Sequence, residues 1–242
     1  MQNWTYALLL IGSIAIPLIR SFEPRIRFYK KWPALFAGIA AMMFVFIPWD
    51  IAFTRQGIWS FNHEYVAGLY IAGLPLEEWL FFVVIPFCVV FTYEVIRLFL
   101  PNFRFPRAAM AISLVLGVVF LLLAWANIHR TYTLVVMLVA GILSLMQPFI
   151  GSHKTWLSHF FLTYLITLVP FFIINGVLTA LPVVSYNDLE NLGIRLHTIP
   201  VEDSVYLLGM MYVVNMVYES RGKKSFALSN SQTVKQSKKA KV

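Results

Sequence analysis

The chain has 242 residues, of which 60% are hydrophobic and only 12% are charged, and its mean hydropathy is +0.75. Soluble domains carry about 25% charged residues, so this composition excludes an ordinary soluble protein and indicates a polytopic membrane protein. The formal net charge is +8, but most basic residues lie in short segments beside apolar runs, as topology signals do. A nucleic-acid-binding surface is therefore not predicted. The single cysteine, Cys88, excludes an intramolecular disulfide.

Seven stretches are long and apolar enough to cross a hydrocarbon core, which takes about 20 residues. In chain order they are Trp4–Ile19, Trp32–Phe53, Leu76–Leu100, Arg107–Ala126, Tyr132–Ile150, Thr155–Leu181 and Ile199–Glu219. Each is predicted to be a helix, because backbone groups cannot stay unpaired in hydrocarbon. The first is expected to be retained, since no basic segment precedes it as in a cleaved signal. The predicted fold is an all-α membrane protein with seven transmembrane helices.

Lysine and arginine residues are concentrated in every second connection between the spans and in the C-terminal tail. The first connection has five basic residues, the third has Arg104 and Arg107, the fifth has Lys154, and the C-terminal tail has seven. The second, fourth and sixth connections have one each, Arg55, Arg130 and Arg195. Because basic residues stay cytoplasmic, the N-terminus is predicted outside and the C-terminus inside, with the chain multi-pass in the plasma membrane. The basic tail, residues 221–242, is expected to be disordered.

An internal repeat appears when the sequence is shifted by 125 residues. The segment PLEE, residues 75–78, then aligns with PVED, residues 200–203, and Tyr93-Glu94 aligns with Tyr218-Glu219. The repeat predicts two three-helix units, residues 1–100 and 129–220, joined by a connecting helix in residues 101–128. Four crossings precede the second unit, so both units should point the same way, related by an axis along the membrane normal.

The paired acids at the start of the third and seventh spans are the first candidates for a site. Helix N-termini favour acidic side chains, so Glu77, Glu78, Glu202 and Asp203 have a simple alternative role as caps. Two copies at one offset favour a functional role, because capping does not require the same acid pair twice. Within a pair the side chains lie about 100° apart around the helix. We expect Glu77 and Glu202 to face each other at one depth.

Other polar residues are expected either at the membrane depth of the paired acids or far from it. Asp50 and its counterpart Asn175 are expected to line the pocket, whereas Asn62 and Asn187 have loop capping as the rival role. Glu94 and Glu219 lie about 25 Å further along their helices and cannot belong to this site; they are either interfacial residues or a second polar site. The histidines show no ligand spacing and no GxGxxG motif occurs, so neither a metal nor a nucleotide cofactor is predicted.

These features together resemble the membrane-integral lycopene cyclases. Members of that family carry Pro-x-Glu-(Glu/Asp) at the start of the third helix of each three-helix unit, as PLEE and PVED do here. The segment FTRQGIWSFN, residues 53–62, is also similar to the family. The resemblance covers residues 1 to about 220 and corresponds to the fused form of the heterodimeric bacterial enzymes.

The resemblance implies that the ends of lycopene, or of another linear carotenoid, are cyclised to β-ionone rings to give γ-carotene or β-carotene. This isomerisation needs no cofactor: an acid protonates the terminal double bond, the neighbouring alkene attacks the cation, and a base removes a proton. Glu77 and Glu202 would be acid and base, or would serve one site each, with Glu78 and Asp203 as their supporting partners. The substrate-binding residues would be Pro75, Pro200, Asp50, Asn175, Asn62, Asn187, Phe81, Trp79 and Tyr206, of which Phe81, Trp79 and Tyr206 would shield the cation. Membrane lipid and other carotenoid-pathway enzymes are the expected partners.

Three alternatives remain open from the sequence. A non-catalytic carotenoid-binding protein and a proton-coupled transporter also fit parallel repeats with intramembrane acids. A carotenoid hydratase shares the protonation step but captures the cation with water.

Overall fold

The computed structural model describes residues 4–149 and 156–239, and the predictions for Lys154 and for the last three residues of the tail lie outside them. The described part contains seven α-helices: α1 (Thr5–Arg20), α2 (Trp32–Arg55), α3 (Leu76–Phe99), α4 (Pro106–Ala126), α5 (Thr131–Met146), α6 (Trp156–Ala180) and α7 (Glu202–Lys239). Six short strands lie in the connections: β1 (Trp59–Phe61), β2 (Tyr70–Ile71), β3 (Leu74–Pro75), β4 (Val184–Tyr186), β5 (Arg195–Leu196) and β6 (Ile199–Pro200).

The strands are a departure from the all-helical prediction. They form three antiparallel pairs, β1 with β4, β2 with β3, and β5 with β6. In the connecting segments, short strand pairs supply backbone hydrogen bonds, including those of the buried residues Leu74 and Pro75 of β3 and Ile199 and Pro200 of β6. The seventh predicted span therefore begins as a strand at Ile199, and its helix starts at Glu202.

Helix packing follows the 125-residue offset. α1 packs on α3, and α5 packs on α7 in the equivalent way. α2 packs on α7, and its counterpart α6 packs on α3. In each unit, the third helix (α3 or α7) therefore contacts the first helix of its own unit and the second helix of the other unit. The two halves are interlocked by these contacts.

The strand pair β1–β4 joins the two halves at their equivalent residues. Ser60 lies opposite Ser185, and these residues are 125 apart. The flanking hydrogen bonds are reciprocal: Asn62 N donates to Val183 O and Asn187 N donates to Ile58 O, both at 2.9 Å. Such an exchange of equivalent groups is what a twofold relation between the halves requires.

Four helical segments are long and apolar enough to cross a membrane by length and composition, Phe28–Arg55, Leu76–Phe99, Pro106–Ala126 and Trp156–Ala180. α1 and α5 are apolar but have 16 residues each, and α7 carries Glu202, Asp203 and Glu219 along its apolar part. Large apolar side chains are exposed on the outside of the bundle, among them Phe44, Ile16 and Trp125. Lipid would cover such side chains, so the chain is a multi-pass membrane protein.

The last helix, α7, continues to Lys239. The disorder expected for residues 221–242 stays a prediction. No proline follows Pro200 in the sequence, so α7 contains no proline that would break or kink it.

Glycines let two helix pairs approach closely. A Cβ at Gly38 of α2 would lie 2.7 Å from the Val214 carbonyl oxygen of α7. Gly117 of α4 and Gly141 of α5 face each other, and a Cβ on either would meet the other's carbonyl oxygen at 3.1 to 3.2 Å. Small residues at helix contacts are typical of membrane bundles.

Candidate active site

A cavity of about 60 Å³ lies between the two halves, at the end of the bundle where the strands are; this end is called the strand end below. Its wall is formed by Tyr6, Asp50, Trp59, Phe61, Glu78, Phe81, Tyr132, Phe171, Asn175, Leu178, Thr179, Val184, Tyr186, Asp203, Tyr206 and Met210. Both halves contribute, and the wall combines aromatic rings with three carboxyl groups and no lysine, arginine or histidine. A volume of this size holds water-sized molecules.

Two equivalent hairpins deliver the acids to the cavity. β2–β3 leads into α3 and β5–β6 leads into α7, with Tyr70 opposite Pro75 and Arg195 opposite Pro200. Gly68 and Gly193 have positive φ values of 83° and 71° at equivalent positions ahead of the hairpins, a conformation that glycine adopts without steric cost. The two hairpins therefore start α3 and α7 in the same way.

The first acid of each pair is bound to its own loop. Glu77 Oε1 accepts a hydrogen bond of 2.7 Å from Ala67 N, and Glu202 Oε1 accepts one of 2.7 Å from Leu192 N. Thr133 Oγ1 also donates to Glu202 Oε1, at 2.6 Å. Glu77 and Glu202 are buried but absent from the cavity wall. The structure thus revises the expectation that these two residues face each other.

The second acid of each pair lines the cavity instead. Glu78 Oε2 accepts a hydrogen bond from the Tyr6 hydroxyl of α1 at 2.6 Å. Both side chains are buried. The sequence predicted a supporting role for Glu78 and Asp203, and these are the members of each pair that line the cavity.

Asp203 is held by three donors. Its Oδ1 accepts from Tyr132 at 2.5 Å, and its Oδ2 accepts from Tyr186 at 2.8 Å and from Asn175 Nδ2 at 3.3 Å. Burial first, and then the Asp203 charge, raise the pKa of Tyr186 well above its ordinary value, so this phenol stays protonated as a donor. The three donors stabilise the ionised form of Asp203. Glu78, by contrast, accepts a hydrogen bond from a single phenol, that of Tyr6.

The N-terminus of α5 is fixed by a loop, and this positions Tyr132. Thr131 N donates to the Glu190 carboxylate at 3.0 Å, and Tyr132 N donates to Glu190 O at 2.9 Å. The segment NDLEN, residues 187–191, therefore caps a helix.

Asp50 is the third carboxyl group of the wall. Its Oδ1 accepts from Trp59 Nε1 at 2.7 Å, and Thr54 Oγ1 lies 3.5 Å away. Asp50 Oδ2 and Asn175 Oδ1 are buried without a hydrogen-bond partner among the described residues. Both atoms can therefore bind water or a polar intermediate in the cavity.

The other predicted residues divide between wall and loop. Phe81 and Tyr206 line the cavity, as do Asp50 and Asn175. Asn62 and Asn187 cap loops, accepting from Glu64 N at 3.0 Å and Leu189 N at 3.1 Å. Trp79 donates to the Ile71 carbonyl oxygen outside the wall. Pro75 and Pro200 are buried in their hairpins just before the helices.

Sequence reasoning missed the tyrosines that bind the acids. Tyr6 and Tyr132 have the same role in the two halves but lie 126 residues apart, so a gap-free shift of 125 does not align them. Phe61 and Tyr186 do align at 125 and both line the cavity. A repeat comparison that allowed a one-residue slip would also have paired Tyr6 with Tyr132.

A second acidic cluster lies at the opposite ends of α3 and α7. Tyr93 donates to Glu219 at 2.8 Å, and Tyr218 donates to Glu94 at 2.8 Å. Arg97 pairs with Glu219 at 2.7 Å and with Glu94 at 3.2 Å, and Lys31 also pairs with Glu94. These acids are thus neutralised by cations, unlike those of the cavity. No group of side chains suited to a metal ion occurs within residues 4–149 and 156–239.

Comparison with known proteins identifies the family. The family model described as lycopene cyclase matches residues 3–96 and 129–220. The two matched segments correspond to the two halves of the repeat, and the connecting helix α4 lies between them. No curated protein and no solved structure matches the chain. Since the two segments span most of the sequence, the chain belongs to the lycopene cyclase family, whose members are enzymes of carotenoid cyclisation.

Proposed function

We propose that the cavity at the strand end is the cyclisation site, with Glu78 and Asp203 as its acid and base. The observation that carries this proposal is the meeting of one carboxyl group from each half in a single aromatic cavity whose wall has no basic residue. An alkene is protonated only by a carboxyl group that stays neutral, and a nearby lysine or arginine would oppose this.

The two acids differ in a way that suits different roles. Glu78 accepts one hydrogen bond from a neutral phenol, so its neutral form is little disfavoured, and it is the better proton donor. Asp203, with three donors, is the better base, because its ionised form is stabilised. Asp50 lies in the same wall and is the reserve candidate for the acid.

The steps balance without an external reagent. Glu78 donates its proton to the terminal double bond of the linear end, leaving a tertiary cation. The neighbouring double bond attacks this cation and closes a six-membered ring, and Asp203 takes a proton from the ring carbon beside the new cation. The electrons of that C–H bond become the ring double bond, so one proton enters, one leaves, and no redox change occurs.

The aromatic wall would stabilise the intermediate cation. Phe81, Trp59 and Tyr206 present rings to the cavity, and a cation over an aromatic face gains about 2 kcal/mol or more when desolvated. Since the cavity holds only water-sized molecules, we expect some of these side chains to move when the substrate end enters.

Product analysis tests the proposal. Expressed in lycopene-accumulating cells, the chain should deplete lycopene and produce γ-carotene or β-carotene of unchanged mass. A product heavier by one water would instead indicate a hydratase, and ε-rings would mean that the base removes a different proton.

The membrane arrangement is part of the proposal. We infer seven crossings in two parallel units, residues 1–100 and 129–220, joined by residues 101–128, in the plasma membrane. The lysine and arginine distribution supports an outer N-terminus and a cytoplasmic tail, and the reciprocal contacts of β1 and β4 support the parallel relation. Reporter fusions after Arg55 and after Ser220 should report opposite sides; the same side for both would contradict this topology.

A further inference from the structure

A second, polar pocket of about 360 Å³ adjoins the cavity at the strand end. It is lined by Thr179, Val184, Ser185, Tyr186, Asp188, Arg195, His197 and Thr198. Thr179, Val184 and Tyr186 belong to both walls. A single layer of side chains therefore separates the buried cavity from a pocket whose rim includes the exposed His197.

Two threonine hydroxyl groups form a hydrogen-bonded path through that layer. His197 Nδ1 lies 3.2 Å from Thr198 Oγ1, and Thr198 Oγ1 lies 2.6 Å from Thr179 Oγ1. Thr179 Oγ1 in turn donates to the Asn175 carbonyl oxygen at 2.8 Å on the cavity side. Each of these hydroxyls can accept one proton while donating another, which is what a proton relay needs.

The path ends beside Asp203. Asn175 Nδ2 donates to Asp203 Oδ2 at 3.3 Å, while Asn175 Oδ1 has no partner among the described residues. A water molecule in the cavity would find acceptors and donors in Asn175, Thr179 and Asp203 and so bridge the last gap.

The first half of the molecule lacks this path. Residues 125 earlier than His197 and Thr198 are Ala72 and Gly73, which carry no hydroxyl or imidazole. The hairpin turns agree at their first position, where Ala72 and His197 have φ values of 55° and 59°, but differ at the second, where Gly73 has a φ of 93° and Thr198 has no positive φ. The polar side chains occur only in the half that supplies Asp203.

A charged pair holds the relay in place. Arg195 Nη1 donates to the Thr198 carbonyl oxygen at 2.6 Å, and Arg195 also pairs with Asp188. These two groups and Tyr186 are the charged or titratable neighbours of His197 in the pocket wall.

We propose that Thr198 and Thr179 relay the proton released in cyclisation from Asp203 to water in the outer pocket. The proposal rests on the role of Asp203 as base. After each ring closes, protonated Asp203 passes its proton to cavity water, then through Thr179 and Thr198 to solvent, while water returns one proton to Glu78. The balance per ring is zero, and Thr198 acts as a positioning residue that never touches the substrate.

Thr198→Val tests the relay, because valine keeps the shape of threonine and removes the hydroxyl. In proteoliposomes, the first ring per enzyme should form at the wild-type rate, and later rings should form about tenfold or more slowly. The burst arises because chemistry is intact and only the resetting of Asp203 is slowed. Thr198→Ser should restore steady turnover, and Ser185→Ala, which removes an exposed hydroxyl of the same pocket, should leave it unchanged.

Other outcomes overturn the relay. Steady turnover of Thr198→Val equal to wild type, or an equal slowing of the first and later rings, would show that the hydroxyl carries no proton. If Thr198→Val is not inserted, Thr198→Ala compared with Thr198→Ser gives the same readout. Asp203→Asn separates the two proposals: full activity in that variant refutes the site, whereas a normal Thr198→Val refutes the relay alone.

Discussion

The molecule has two acidic clusters at opposite ends of α3 and α7, and they differ in their counter-charges. At the strand end, Glu78 and Asp203 are bonded to tyrosines, and no cation lines their cavity. At the other end, Glu94 and Glu219 are bonded to tyrosines as well, but Arg97 bridges them. Both clusters follow the same 125-residue repeat.

The difference in counter-charge is consistent with the proposal that the acids of the cavity take part in the chemistry, whereas Glu94 and Glu219 stabilise the fold. Burying a charge without a partner is costly, so an ion pair at the far end stabilises the contact between the two halves. The three carboxyl groups of the cavity wall have no cation beside them and so lack this stabilisation. Such an arrangement is typical of functional sites, where proton transfer requires it.

The largest expected effect is on activity at the cavity. Glu78→Gln and Asp203→Asn should each lower ring formation by about 10² to 10⁴-fold, because each removes one proton-transfer group. The measurement is the initial rate of ring formation in proteoliposomes, normalised to inserted protein. Glu94→Gln is the matched control, with an activity close to wild type. If Glu94→Gln loses as much activity as Asp203→Asn, the distinction between the clusters is wrong.

The next effect is on stability at the opposite end. Arg97→Met should lower the free energy of unfolding by about 1–3 kcal/mol, since Glu94 and Glu219 lose a shared donor. The midpoint of thermal unfolding in detergent measures this, and the rate per folded molecule should not change. Arg20→Met breaks only the exposed pair with Glu23 and should have little effect. Equal shifts for both variants would contradict a stabilising role of the buried cluster.

An effect of similar size on stability is expected at the first acid of each pair. Glu202→Ala leaves Leu192 N and Thr133 Oγ1 without their acceptor, a loss of about 1–3 kcal/mol in stability. Glu77→Gln keeps an acceptor for Ala67 N and should keep most of its cyclase activity. A Glu77→Gln protein as inactive as Asp203→Asn would return Glu77 to the centre of the site.

The smallest effect concerns pH at the loop of residues 187–191. Hydrogen bonds from Thr131 lower the pKa of Glu190, and the bond from Arg195 lowers that of Asp188. A carboxyl group whose pKa is lower in the folded than in the unfolded state stabilises the fold at pH values above its unfolded-state pKa. This stabilisation is lost as the pH falls through the folded-state pKa. Stability should therefore decline slightly below about pH 4.5. Glu190→Gln should weaken that decline in thermal unfolding measured from pH 6 to 3; an unchanged profile would exclude Glu190 as its source.

The sequence by itself determined the helices, the repeat and the placement of acid pairs in the first turns of α3 and α7. Long apolar runs leave the chain few alternatives to helix in lipid, and a fixed offset of 125 residues needs no structure to be seen. The positions of Asp50 and Asn175 near the same depth also followed from that offset.

Only the tertiary structure decided which acid of each pair faces the cavity. Two neighbouring residues on a helix point about 100° apart, and the helix rotation that selects between them is set by packing on α1, α5 and the other half. The hairpin loops supply backbone donors to Glu77 and Glu202, so those two acids turn toward the loops. Glu78 and Asp203 meet Tyr6 and Tyr132, whose shared role was hidden by a one-residue slip in the repeat, because contact depends on geometry and not on sequence offset.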